Sequence, residues 1–187
     1  MHRIPSARAL ALICAAVSCI AAPAGAQTRP AHPAAKAAPA AGPKRIGVFD
    51  DWTAVTHQEA GQTVCYAFTR ASTSTPKIPG RGDVVMTVTQ RPNLRDSVAI
   101  SEGFTFGQGI DVTVQADQAA LAFYTHDRSA FARDGHAAVA AFGQARQAIA
   151  RGPGPHKEQV ADTFSLRGFA AAYAVINKTC PGPAPKG

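Results

Sequence analysis

The sequence lacks several features that would indicate a functional class. Outside the N-terminus no uncharged apolar run reaches the roughly 18–20 residues that a membrane-spanning helix needs, so we expect no transmembrane segment in the mature chain. Only 4 of the 187 residues are cysteines and no C-x-x-C pair occurs, which argues against a disulfide oxidoreductase. The single tryptophan, Trp52, is assigned to core packing rather than to a ligand site.

The excess of basic residues lies outside the part of the chain that is expected to fold. The chain has 19 Lys and Arg against 12 Asp and Glu, a formal net charge of +7. Six of these bases precede residue 46, where no acid occurs, which leaves 13 bases against 12 acids in residues 46–187. Nucleic-acid-binding domains concentrate positive charge on their folded surface. We therefore expect no nucleic-acid partner.

The N-terminus has the pattern of a secretory signal. Two arginines precede an uncharged apolar stretch over 9–22, and a small-x-small sequence ends at Ala26. This pattern predicts a signal peptide over 1–26, cleaved between Ala26 and Gln27, and a periplasmic or secreted protein. Lipidation at Cys19 is the open alternative, and it would tether the protein to a membrane.

Cleavage at that site would leave two cysteines in the mature chain, Cys65 and Cys180. Because an oxidising compartment favours disulfides, we predict that they pair, with two separate thiols as the alternative. The closed loop is long, and the chain-entropy model assigns such a bridge roughly 4–5 kcal/mol of stability.

Composition divides the mature chain into a spacer, one domain and a short tail. Residues 27–45 are rich in Ala and Pro, cannot bury a core, and are predicted to form a disordered, extended linker. The scattered bases of this linker would allow weak contact with an anionic envelope surface. The domain is expected over 46–180, followed by a disordered tail over 181–187.

Most of the domain alternates apolar and polar residues with a period of two, which is typical of half-buried strands. Gly, Pro, Asn and Asp separate these segments. Many short strands at this spacing predict a mainly β protein, an antiparallel sandwich or barrel. The predicted strands cover 52–57, 63–69, 84–89, 97–101, 110–115, 119–125, 145–151 and 158–164.

Two segments follow a helical pattern instead. Residues 135–142 are rich in Ala and predict a short helix or turn. Residues 165–178 predict a C-terminal helix with Ser165 as N-cap, ending beside Cys180. Its apolar stripe consists of Leu166, Phe169, Tyr173 and Ile176. A bridge to Cys65 would require this helix to cover the Cys65 face of its strand, which is opposite Val64, Tyr66 and Phe68.

The residues that usually carry chemistry do not form a recognisable motif. The four histidines of the domain show neither H-x-H nor H-x-x-x-H spacing, and no serine lies in a G-x-S-x-G sequence. Asp50 and Asp51 are adjacent and would point apart on a strand. We therefore predict no catalytic residue, no cofactor and no metal site. The alternative is a small periplasmic hydrolase built around His57 or His126.

Two short sequences have functional interpretations that we weigh against plain turns. The glycines at 103, 107 and 109 resemble a phosphate-binding loop, but a strand pattern follows them where a helix N-terminus is required, so a hairpin loop with Phe104 and Phe106 is expected. Arg81-Gly82-Asp83 matches the tripeptide that integrins recognise, and turn chemistry alone also explains it.

Three segments together resemble the invasion-associated locus B (IalB) family of exported alphaproteobacterial proteins. They are Phe49–Trp52, Val64–Ala67 and Asp162–Phe169 with Tyr173. The resemblance implies an immunoglobulin-like β-sandwich, an envelope location and an association with host-cell invasion, and it brings no catalytic residues. The combined expectation is an exported, non-enzymatic binding or structural module whose partner is an unknown envelope or host protein.

Overall fold

The structure is a computed structural model that describes residues 42–183. The predicted signal peptide, the Ala26–Gln27 cleavage site, Cys19, most of the predicted linker and residues 184–187 of the predicted tail lie outside these residues. Eleven strands and two helices occur in the described part of the chain. They are β1 (Lys44–Phe49), β2 (Trp52–Glu59), β3 (Gln62–Arg70), β4 (Thr73–Thr75), β5 (Val85–Arg91), β6 (Leu94–Ser101), β7 (Asp111–Ala116), β8 (Ala119–His126), β9 (Ser129–Ala132), α1 (Gly135–Phe142), β10 (Gln147–Pro153), β11 (Gln159–Ser165) and α2 (Phe169–Thr179).

Eight of the described strands, β2, β3, β5, β6, β7, β8, β10 and β11, form where the sequence predicts them, whereas β1, β4 and β9 were not predicted. Alternating burial is clearest in β5 and β7. Met86 and Val88 of β5 and Val112 and Val114 of β7 point into the core, while the polar residues between them face outward. The short helix α1 is also confirmed. Its N-cap is Asp134, whose carboxylate accepts the backbone N–H of residue 137.

All pairings are antiparallel, and the strands form one continuous sheet in the order β1-β2-β3-β5-β6-β9-β8-β7-β10-β11-β4. The contact between β6 and β9 joins a half built from β1, β2, β3, β5 and β6 to a half built from the other strands. Side chains of both halves belong to one hydrophobic core. The mainly β, sandwich-like fold with a short C-terminal helix is therefore confirmed.

Aromatic side chains dominate the centre of the core. The largest fully buried ones are Trp52, Phe123, Phe142, Phe164 and Phe169. Trp52 and Phe142 both make edge-to-face contacts with Phe169 of α2, with centroid distances of 5.0 and 5.7 Å. The C-terminal helix is thus part of the core, and Trp52 packs inside it as expected.

The predicted boundary between linker and domain is wrong by two residues. Lys44 and Arg45, assigned to the linker from composition, begin β1 and pair with Thr56 and Val55 of β2. Backbone hydrogen bonds to a neighbouring strand need no hydrophobic side chain. The composition of 27–45 therefore did not indicate that β1 begins within this segment.

The predicted start of the C-terminal helix is also wrong. Ser165 is the last residue of β11, and α2 begins only at Phe169, after an N-cap at Gly168. Leu166 is buried in the connection between the two elements. Its spacing from Phe169 fits a helical stripe, so it was assigned to the helix although it precedes α2. The end of the helix agrees with the prediction, since α2 ends at Thr179, directly before Cys180.

Candidate functional site

A disulfide connects the middle of β3 to the end of α2. Cys65 and Cys180 are bonded with their Cα atoms 5.8 Å apart, a normal separation for such a bridge. Cys65 points into the core and Cys180 caps α2, so the helix covers the Cys65 face as the sequence required. Arg95 of β6 donates a hydrogen bond of 2.7 Å to the carbonyl oxygen of Cys180, which connects the same helix end to a second strand.

The turn between β1 and β2 meets the connection between β11 and α2. The indole N–H of Trp52 donates to the carbonyl oxygen of Ser165 at 3.0 Å, and the Ser165 hydroxyl donates to Asp51 Oδ2 at 2.6 Å. Arg167 pairs with Asp50 at 3.5 Å on the surface. Asp50 and Asp51 therefore stabilise this junction separately, and they occupy the turn instead of a strand.

Gly168 allows the two segments of this junction to approach so closely. Its φ is +83°, and a Cβ atom at this position would lie 1.9 Å from the carbonyl oxygen of Phe49. Only glycine satisfies both conditions without displacing backbone. Residues 49–52 and 165–169, far apart in the sequence, consequently form one structural unit, which we call the motif junction.

The Arg81-Gly82-Asp83 sequence is not an exposed adhesion loop. The Arg81 side chain is 4% exposed and binds both carboxylate oxygens of Asp162, at 3.0 and 2.8 Å, and Glu102 at 2.6 Å. The ring of Phe104 covers the guanidinium at 4.9 Å. The adhesion interpretation is therefore wrong, because the arginine that a receptor would contact is buried.

This buried cluster contains two carboxylates and one guanidinium. Glu102 and Asp162 are 4% and 1% exposed. Burial, together with the neighbouring Asp162, raises the pKa of Glu102 from 4.5 to about 8, although Arg81 acts in the opposite direction. At neutral pH Glu102 is therefore protonated, and one positive and one negative charge balance in the cluster.

The segment from 102 to 110 is not the expected hairpin loop. It connects β6, which pairs with β9, to β7, which pairs with β8, so it passes from one half of the sheet to the other. Arg128 donates to the carbonyl oxygen of Gly103 at 2.8 Å, and Phe104 packs edge-to-face on Phe106.

A second polar cluster surrounds Asp96 at the start of β6. The Asp96 carboxylate accepts hydrogen bonds from the Tyr173 hydroxyl at 2.6 Å and from Gln90 at 2.7 Å, and its other oxygen lies 3.3 Å from His136 Nδ1. Burial alone would raise the pKa of Asp96, but these hydrogen bonds and the nearby His136 lower it. Burial and Asp96 together raise the pKa of Tyr173. The cluster attaches α1 and α2 to the sheet.

The two histidines of the hydrolase alternative lie beside acidic side chains. His57 Nε2 is 3.8 Å from Glu59, and its buried Nδ1 has no hydrogen-bond partner in the described part of the chain. His126 is exposed, 3.5 Å from Asp127. Within residues 42–183 no histidine hydrogen bonds to a serine or threonine hydroxyl, no group of three or more potential ligands could hold a metal ion, and neither helix is long and apolar enough to cross a bilayer.

Four aromatic side chains lie on the outer side of the sheet. Tyr66 and Phe68 of β3 point away from the core, because Cys65 and Ala67 between them point into it. Strand register connects Phe68 to Phe131 and Tyr124 in one lateral row. That row consists of Val48, Thr53, Phe68, Thr87, Ala99, Phe131, Tyr124 and Asp111. Thr87 and Ala99 separate the aromatic pair on β3 from the pair on β8 and β9, which belongs to the other half of the sheet. We call Tyr66, Phe68, Phe131 and Tyr124 together the aromatic face.

The aromatic face is accessible and bordered by arginines. Tyr124 is 43% exposed, stacks on Phe131 at 5.5 Å and lies beneath Arg133, which pairs with Asp111. At the other end Arg70 lies over Phe68 at 5.9 Å. Aromatic residues and arginine are the residue types most enriched at protein interfaces and their hot spots.

Sequence reasoning found neither the aromatic face nor the buried cluster. The alternation around Tyr66 and Phe68 indicated a strand, but not which of its faces is buried. The two small residues between the aromatics, Cys65 and Ala67, were the only available signal, since a bridged cysteine belongs in the core.

Comparison with known proteins supplies the family. Residues 52–177 match the description of the invasion associated locus B (IalB) protein family, which is most of the chain. The chain belongs to this family. No curated protein matches it. Among solved structures it is similar to invasion associated protein B from Bartonella henselae, with 15% sequence identity and a TM-score of 0.53, over 71% of this chain and 95% of that one. At this identity the likeness to the Bartonella protein supports the IalB fold alone.

Proposed function

We propose that this IalB-family protein is an exported, non-enzymatic binding module of the cell envelope, with an envelope or host-cell protein as its partner. The predicted signal peptide and the disulfide support export, because such bridges persist in oxidising compartments. Family membership supports an envelope role, and the name of the Bartonella neighbour supports an association with host cells.

The observation that carries the proposal is the aromatic face. Both helices pack against the core, with Phe142 and Phe169 among its buried residues, so neither covers the outer side of β3. Four aromatic side chains on rigid strands lose little entropy on binding, and the bordering arginines add polar contacts. The surface therefore suits recognition of a protein.

The geometry does not favour the hydrolase alternative. A nucleophile must lie within hydrogen-bond reach of its base, yet within residues 42–183 the rings of His57 and His126 lie beside acids and hydrogen bond to no serine or threonine hydroxyl. The Ser165 hydroxyl donates to Asp51, with no histidine beside it. These arrangements support a binding role in preference to acyl transfer.

The experiment is capture of partners from envelope and host-cell extracts by immobilised mature protein, comparing wild type with the double variant Tyr66→Ala/Tyr124→Ala. Leu94→Ala is the matched control, because Leu94 is 53% exposed but lies outside the aromatic face. We expect one protein to be retained by wild type and Leu94→Ala, and its recovery to fall about tenfold or more with the double variant. Equal recovery by all three proteins would contradict the proposal.

A further inference from the structure

A groove of about 300 Å³ opens beside the motif junction, at the end of β3. Its lining combines one aromatic ring, one carboxylate, one guanidinium and four hydroxyl groups. The residues are Asp51, Thr53, Phe68, Thr69, Arg70, Ser72 and Ser165. This volume is at the low end of small-molecule sites, so the groove admits a single ring-sized ligand.

Several polar groups of this groove have unused hydrogen-bonding capacity. Asp51 Oδ1 has no partner within residues 42–183, while Oδ2 accepts from Ser165. Arg70 uses only its Nε, which donates to Asp83 at 2.8 Å, so its terminal amino groups are available as donors. Thr69 also lines the groove, but at 3% exposure its side chain is buried.

The chemistry of these groups restricts the ligand. A carboxylate only accepts hydrogen bonds and a guanidinium only donates them, so a ligand that satisfies both must donate and accept at neighbouring atoms. Hydroxyl groups do both. The Asp51 carboxylate would repel an anion, and the Arg70 guanidinium would repel a cation. A neutral ligand is therefore favoured.

Phe68 supplies the apolar part of the groove. Its ring is held between Thr53 on β2 and Thr87 on β5, and Arg70 lies over it at 5.9 Å. A flat ligand with an apolar C–H face and hydroxyls at its rim would pack against the part of the Phe68 ring that lines the groove, and would reach Asp51 and Arg70 beside it. A pyranose sugar has that shape and chemistry.

We propose that the groove between Phe68, Asp51 and Arg70 is a carbohydrate-binding subsite that takes one neutral pyranose unit. In the bound state Asp51 accepts from ligand hydroxyls, Arg70 donates to a neighbouring ligand oxygen, and Phe68 packs on the C–H face. The subsite shares Phe68 with the aromatic face but does not depend on a protein partner.

Titration of the ¹⁵N-labelled mature protein with methyl glycosides of glucose, galactose, mannose and N-acetylglucosamine tests this proposal. We expect at least one sugar to shift the amide resonances of Ser72 and Ser165 saturably, with a Kd in the range of about 1–10 mM that is normal for so small a ligand. Asp51→Asn and Phe68→Ala should each weaken binding about tenfold or more, with thermal unfolding used to check that both variants fold.

The control is Tyr124→Ala, which alters the aromatic face outside the groove and should leave the sugar affinity unchanged. No shift with any of the four sugars up to about 100 mM would overturn the proposal. Equal shifts with N-acetylalanine methylamide would also overturn it, in favour of a peptide site. Because protein capture is tested with Tyr66 and Tyr124, either proposal can fail without the other.

Discussion

The buried Arg81–Glu102–Asp162 cluster predicts an unusual dependence of stability on pH. Glu102 has a pKa of about 8 in the folded protein and about 4.5 when unfolded. Between these values the folded state holds a proton that the unfolded state has released, so stability falls as pH rises through this interval and levels off above it. The pKa difference of about 3.5 units corresponds to a loss of roughly 3–5 kcal/mol in the free energy of unfolding. This value is not reduced much by solvent screening, because all three side chains are buried.

Replacement of Glu102 by glutamine tests this assignment. Glutamine keeps the shape and neutrality of the protonated acid, so Glu102→Gln should match the wild type near pH 5 within about 1 kcal/mol and exceed its stability at pH 9. Asp111→Asn is the control, since Asp111 pairs with Arg133 on the surface and its change should preserve the wild-type slope.

Urea unfolding from pH 5 to pH 9 measures the free energy of unfolding of all three proteins. The fluorescence of the buried Trp52 reports the transition in each of them. Contributions of the histidines are common to wild type and variants and cancel in the difference. Parallel profiles for wild type and Glu102→Gln would show that Glu102 releases its proton normally in the folded protein. The buried cluster would then carry an uncompensated negative charge at neutral pH.

Three further predictions concern covalent and backbone features. Cys65→Ser should lower the free energy of unfolding by about 2–5 kcal/mol in urea titrations, and the unfolded, unreduced wild type should show no reactive thiol in its mature form; two thiols per chain would contradict the bridge. Gly168→Ala should destabilise the fold well beyond the roughly 1–3 kcal/mol of backbone strain, because of the clash with Phe49, whereas Gly61→Ala has the same strain without a nearby atom; similar melting temperatures would refute the close approach. Intact mass of the exported protein should place the N-terminus at Gln27, and a lipid-modified Cys19 would refute the cleavage site.

Local patterns predicted most of the fold because they report burial directly. Alternation located the strands around Met86 and Val112, and the export signal with the cysteine count indicated the pairing of Cys65 with Cys180. Leu166 misplaced the helix start, since one buried residue fits a strand end and a helix equally well. That ambiguity cannot be removed without knowing what covers the residue.

The surfaces and clusters required long-range information that no local pattern contains. Arg81 lies in a loop, Glu102 directly follows β6 and Asp162 is in the middle of β11, so only the folded sheet brings them together. The Arg81-Gly82-Asp83 sequence suggested an exposed arginine. In the structure Arg81 is buried, because it pairs with two buried carboxylates. Likewise, Phe68 and Tyr124 belong to one row only through four strand pairings.

The covalent bridge and the proposed binding surface depend on the same strand. Cys65 points inward from β3 and is bonded to the end of α2, while the adjacent Tyr66 points outward on the aromatic face. Alternation along a strand means that whatever holds one face in place also orients the other. The bridge thereby restrains the backbone that positions Tyr66 and Phe68, and the motif junction restrains the neighbouring β2 through Trp52. A surface restrained in this way loses little conformational entropy when a partner binds, so the interactions that stabilise the fold also preorganise the proposed site.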